Sequence, residues 1–117
     1  MLNKGKDIQE RSYSFALVVT KMARDFPKNP EGFALGGQII RSATSIPANL
    51  FEGSAGVSRK EFIQFVSVSK KSAIETQFWL RFSHDLGLIG KEEYEKTSDE
   101  CEQLIRIISR IILNSKQ

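Results

Sequence analysis

The side chains best suited to chemistry in this chain are basic, and the chemistry they fit is anion recognition. Arg59, Lys70 and Arg81 recur at intervals of eleven residues, and Lys60 and Lys71 repeat that offset beside them. Eleven residues are close to three helical turns, so on a helix each row lines one face at spacings of roughly 16 Å. Such rows suit the neutralisation of phosphates along a nucleic-acid backbone. The alternative is an ordinary solvated face. Phe78 and Trp79 are candidates for stacking on bases, although aromatic side chains at helical spacing more often fill a core or an interface.

A second set is polar rather than basic. Arg41, Ser42, Ser45, Asn49 and Glu52 occupy about a third of a helix circumference at 100° per residue. Read as a ligand site, Arg41, Asn49 and Glu52 would grip a phosphate or another polar group. Read as architecture, the serines and the asparagine satisfy partners on a neighbouring helix, and Arg41 and Glu52 pair with other helices or subunits. The architectural reading is preferred. Glu75 lies near Ser72 and Trp79 on the flank of a later segment and is placed to pair with Arg41. A lone carboxylate with no second acid, base or metal set makes a poor active site.

The exclusions are firm. One histidine and one cysteine rule out an intramolecular disulfide and the zinc sites that need several such ligands. Neither a Ser-His-acid set nor a phosphate-binding glycine loop can be assembled, since Gly36 and Gly37 sit inside a helical pattern. The chain is therefore expected to be no enzyme, with no cofactor and no metal. His84 falls near a helix end, and Cys101 reads as a small buried hydrophobe.

Four helical segments must position these groups. The first, about Lys6–Phe26, carries Ile8, Phe15, Val19, Met22 and Phe26 near one face and is stopped by Pro27 and Pro30. The second, about Glu31–Gly53, contains Pro47, which removes the hydrogen bond to the Ala43 carbonyl and should kink the helix. The third opens on Ser58 with Glu61 three residues on, a capping-box pattern, and runs to Gly87, roughly 43 Å at 1.5 Å per residue. The fourth, about Lys91–Ser115, is acidic at its start and basic towards its end, as the helix dipole favours. Short connections between long helices predict one all-α domain over residues 1–117, an antiparallel up-down-up-down four-helix bundle.

The fourth segment is apolar around most of its circumference, with Leu104, Ile105, Ile107, Ile108, Ile111, Ile112 and Leu113 in ten residues. A helix apolar on more than one face is buried on more than one face, which predicts self-association. A wide core stripe with a few exposed isoleucines is the alternative. The net charge is +3, the isoelectric point about 9.1. Residues 91–102 hold two lysines and six acids, so the rest of the chain is more basic than the total implies. The opening residues lack a signal-peptide pattern and the chain lacks a membrane-spanning run, which predicts a cytoplasmic protein with no membrane partner.

The stretch from Phe33 to Gly87 carries a longer pattern. Ile39, Arg41, Ser42, Ala43, Ser45, Ile46, Pro47, Asn49, Glu52 and Gly53 form one block. Ser58, Glu61, Phe62 and Phe65 form a second, Ser72 and Glu75 a third, and Leu86, Gly87 and Ile89 the last. The pattern resembles the four-helix-bundle family encoded in intervening sequences of bacterial 23S ribosomal RNA genes. Lys71, in place of the family's usual glycine, and Phe78–Trp79, in place of a more polar pair, depart from it. The resemblance implies a left-handed bundle. It also implies similarity to the accessory variability protein of diversity-generating retroelements, a pentameric barrel that binds nucleic acid and a reverse transcriptase.

Two expectations follow. The first is a non-enzymatic homo-oligomer, a pentamer by the resemblance, that binds structured RNA or other nucleic acid through Arg59, Lys60, Lys70, Lys71 and Arg81. The second is a scaffold or accessory subunit whose partner is a protein, such as a polymerase or a neighbouring gene product.

Overall fold

The computed structural model describes residues 2–56 and 58–116, with side chains from Asp7 onward. Four helices account for nearly all of them: α1 (Leu2–Arg24), α2 (Pro30–Ser54), α3 (Arg59–Asp85) and α4 (Lys91–Ser115). There is no strand among the described residues. Each helix packs on the next and α4 returns to α1. Neighbouring helices run antiparallel: contacts between α2 and α3 pass from Arg41–Glu75 to Gly53–Phe65, and those between α3 and α4 from Ala73–Cys101 to His84–Tyr94. The molecule is 45 Å long and 23 × 18 Å across.

Local chemistry sets the helix limits. Asn29 caps α2 by accepting from the Gly32 amide at 2.7 Å. Pro30, which the sequence pattern assigns to stopping the first helix, instead opens the second, where its missing N–H costs nothing. Ser58 caps α3 by accepting from the Glu61 amide at 3.1 Å. At the far end Gly87 adopts φ of 82°. That left-handed turn lets the Leu88 amide reach the Ser83 carbonyl and the Gly87 amide reach the His84 carbonyl, both at 2.9 Å, closing α3. α2 continues through Pro47 to Ser54.

The core is one column of apolar side chains. Val19, Ile39, Ile46, Val66, Leu80, Leu104 and Ile108 are fully excluded from solvent. The bundle covers only one stripe of α4: Cys101, Leu104 and Ile108 are buried, whereas Ile105, Ile107, Ile111 and Ile112 are half-buried and Leu113 is 62% exposed. Apolar surface also remains on α1, at Tyr13, Leu17 and Val18, and on α3, at Ile74, Phe78 and Phe82. The sequence pattern placed the excess on α4 and offered Phe78 as a stacking candidate; the α1 surface and Ile74 and Phe82 of α3 have no counterpart in it.

Candidate functional site

The polar stripe of α2 faces α3. Ser42 lies at the buried centre of the seam, with Thr76 Oγ1 at 2.9 Å from its hydroxyl and 2.7 Å from the Ser72 carbonyl. One turn along, Ser45 and Ser72 share a hydrogen bond of 2.8 Å. Asn49 Nδ2 donates to the Ser45 carbonyl and hydroxyl, at 2.8 and 2.9 Å. Ser69 donates across the seam to the Ile46 carbonyl at 2.8 Å. Small side chains let the helices approach closely, and the hydroxyls then satisfy one another away from water. Gly53 extends this approach: a Cβ there would lie 3.0 Å from Phe65 Cβ.

The stripe ends in an ionic cluster at the surface. Arg41 donates to Glu75 and, at 2.9 Å, to Gln38 Oε1. Trp79 Nε1 donates to the same Glu75 oxygen at 2.9 Å. Glu75 is thereby held by two donors from two helices, and Arg41 is spoken for rather than offered to a ligand. Glu52 is exposed near the opposite end of α2. The five stripe residues thus serve unequal purposes: Ser42 and Ser45 bond across the seam, Asn49 holds Ser45 from within α2, Arg41 staples the edge, and Glu52 does none of these.

The basic residues of α3 separate into two settings. Arg59, Lys60 and Lys71 are exposed and Lys70 is half-buried. The three lysines form no ion pair among the described residues. Arg81 lies at the other end of the helix, 3.8 Å from Asp85. At 100° per residue, Lys60 and Lys71 share the outer face with Phe78 and Phe82, while Arg59, Lys70 and Arg81 run along the flank towards α4.

Antiparallel packing sorts charge along the bundle. Cut at the midpoint of each helix, one end consists of residues 7–13, 42–56, 58–72 and 103–116. It holds eight basic side chains against four acids. The other end, residues 14–41 and 73–102, holds seven against ten. The basic end gathers Arg59, Lys60, Lys70 and Lys71 with Arg11, Arg106 and Arg110. The last three line an open cleft of about 480 Å³ between α1 and α4, floored by Ile8, Ile107 and Ile111. Arg11 is pinned there by Glu100 at 2.7 and 2.8 Å, which raises the guanidinium pKa further above its ordinary value. These three arginines were not singled out in the sequence. The signal was available, because α4 is acidic at its start and basic at its end and an up-down topology sets that end beside the start of α3.

Two groups with reactive side chains have structural surroundings. Cys101 is buried and donates to the Ala73 carbonyl at 3.2 Å, and burial pushes its thiol up to about 12. His84 stacks on Tyr94 with ring centroids 4.3 Å apart, and its Nδ1 lies 3.0 Å from the Ile89 carbonyl. It clamps the α3–α4 turn. Among the described residues, no three His, Cys, Asp or Glu side chains come together as a metal site, and no helix is long and apolar enough to cross a membrane.

No curated protein matches the chain. A solved structure from Bacteroides thetaiotaomicron, described as a protein of unknown function from the S23 ribosomal protein family, is 28% identical. It superposes with a TM-score of 0.87, covering 93% of this chain and 97% of the other. The family model for 23S rRNA-intervening sequence proteins matches residues 4–110. With that match spanning nearly the whole bundle, the chain belongs to the 23S rRNA-intervening sequence protein family.

Proposed function

We propose that this protein is a non-enzymatic, homo-oligomeric bundle that binds structured RNA through its basic end. The observation that carries the reading is the sorting of charge along the bundle. Arg59, Lys60, Lys70 and Lys71 stand together with Arg110 and with Arg106, itself paired to Glu102 at 2.8 Å, at the end where acids are fewest. The mechanism is phosphate neutralisation with release of condensed counterions. It asks for no catalytic group, and neither the buried Cys101 nor the clamped His84 supplies one. Arg81, paired with Asp85 at the acidic end, contributes least of the five basic residues of α3.

Self-association supports the mechanism by multiplication. Apolar side chains left uncovered on α1 and α4 favour contact between copies. A cyclic pentamer carries about +15 in place of +3. If the helices run along its axis, all basic ends fall on one face. Weak single patches then act together.

A titration against a structured ribosomal RNA fragment and a matched DNA duplex, at low and near-physiological salt, tests the reading. Submicromolar RNA binding with a steep log–log dependence on salt is expected. No binding at low salt would leave the lysines as a solvated face.

One observation favours a second reading, an accessory subunit for a protein partner. Tyr13, Leu17 and Phe51 rim an apolar groove of about 280 Å³ between α1 and α2, with Pro47 in its wall. Binding through that groove would be nearly indifferent to salt, which separates the two readings.

A further inference from the structure

Phe78 and Phe82 are not core residues. They are 54% and 43% exposed on the outer face of α3. Their ring centroids are 5.9 Å apart, and Phe78 meets the Trp79 ring edge-on at 4.9 Å. Trp79 is itself fixed by its hydrogen bond to Glu75, so the three rings form a supported platform rather than loose side chains. Lys71 lies on the same helical face, about 10 Å before Phe78 along the axis, and Lys60 lies three turns further on. Neither lysine is neutralised by an acid among the described residues, whereas the two acids nearest the rings, Glu75 and Asp85, are engaged by Arg41 and Arg81.

We propose that this platform receives unpaired bases, so that the RNA bound is recognised at a single-stranded loop rather than along a duplex. This rests on the nucleic-acid reading above and narrows its ligand. A paired duplex hides the faces of its bases and offers phosphates alone, for which exposed phenylalanines have no use. Unpaired nucleotides offer a π-face to Phe78 and Phe82 and a phosphate to Lys71 and Lys60, in the combination of aromatic and cationic groups that single-strand binding uses. A protein partner would cover the rings equally well but would leave those lysines facing a surface that has to supply acids.

The experiment compares two RNAs of equal length and charge, a hairpin with an eight-nucleotide loop and a fully paired duplex. Affinity is measured for wild type and for Phe78→Ala/Phe82→Ala, with Trp79 fluorescence as an internal reporter and sedimentation to record oligomeric state. Wild type is expected to prefer the looped RNA by at least about tenfold, with Trp79 fluorescence changing for that RNA only. The double variant is expected to lose the preference while its duplex affinity and sedimentation stay unchanged. Equal affinity of wild type for loop and duplex overturns the platform and leaves the basic-end reading standing. Absence of binding to either RNA overturns both. A change in the variant's oligomeric state assigns the rings to a contact between copies and likewise overturns the proposal.

Discussion

The seams α2/α3 and α1/α4 are built on opposite principles. The first is lined by serine, threonine and alanine, so the helices approach closely and hydroxyls bridge them in its buried centre. The second is held at its middle by Arg11 with Glu100 and Gln103, and below that point opens into a cleft of isoleucines and arginines. A seam whose buried hydroxyls, Ser83 apart, find partners within the bundle is a joint, and it has little left with which to bind anything else. A seam that leaves cations and apolar side chains uncovered is a surface. The polar stripe is therefore the joint its sequence suggests, and the proposed binding surface lies at the basic end, where Lys60, Lys70 and Lys71 form no ion pair among the described residues.

The largest effect that separates the two seams is on stability. Leu80→Ala, in the fully buried column beside the α2/α3 seam, should cost about 2–5 kcal/mol, whereas Ile111→Ala in the cleft should cost under about 1 kcal/mol. Urea denaturation of both variants checks this, and equal losses would mean that the cleft is closed in solution. Next is a pH effect. The folded Cys101 thiol stays protonated up to about 12, while the unfolded thiol ionises near 9. The unfolded state therefore binds fewer protons between those values, and stability should fall as pH rises above 9, by up to about 1.4 kcal/mol per unit. Cys101→Ala should remove that slope, leaving only the contribution of other groups.

Smaller effects refine the description of the joint. The Arg41–Glu75 pair sits at the seam's edge, with both side chains substantially exposed. A double-mutant cycle with Arg41→Ala and Glu75→Ala should give a coupling below about 1 kcal/mol that shrinks in high salt. A coupling of several kcal/mol would make the cluster part of the core. Ser83 Oγ is buried without a hydrogen-bond partner among the described residues. Ser83→Ala should be neutral to slightly stabilising by thermal denaturation, unlike Thr76→Val, which removes the hydroxyl bridging Ser42 and the Ser72 carbonyl and should cost about 1 kcal/mol, Ser42 keeping its bond to the Ile39 carbonyl.

The sequence made the helices legible because little in it competes with them: apolar residues recur at helical spacing, and turn residues cluster between segments, Pro47 and Gly36–Gly37 within α2 being exceptions. It also made Arg41 and Glu75 legible as partners. Pro30 was misjudged because a proline stops one helix and starts another with equal ease, and only the cap at Asn29 tells which. The basic end was only partly legible: its α3 members, Arg59, Lys60, Lys70 and Lys71, stand out in the sequence, whereas Arg11, Arg106 and Arg110 come from two other helices far apart in the chain. Phe78 stands out in the sequence as a stacking candidate, but its exposure, and Phe82 beside it, were hidden because helical spacing alone does not say which face of α3 meets the bundle.

Location, as distinct from total charge, is the quantity to measure. Lys60→Glu/Lys71→Glu and Lys91→Glu/Lys96→Glu reverse the same number of exposed charges, the first pair at the basic end and the second at the acidic end. Their affinities for one structured RNA, across a salt series, should differ. The first pair should bind at least about tenfold more weakly than wild type and lower the log–log salt slope by about 2. The second should change both only slightly. Equal losses for the two pairs would show that net charge alone drives binding, and would contradict the assignment of the basic end as the site.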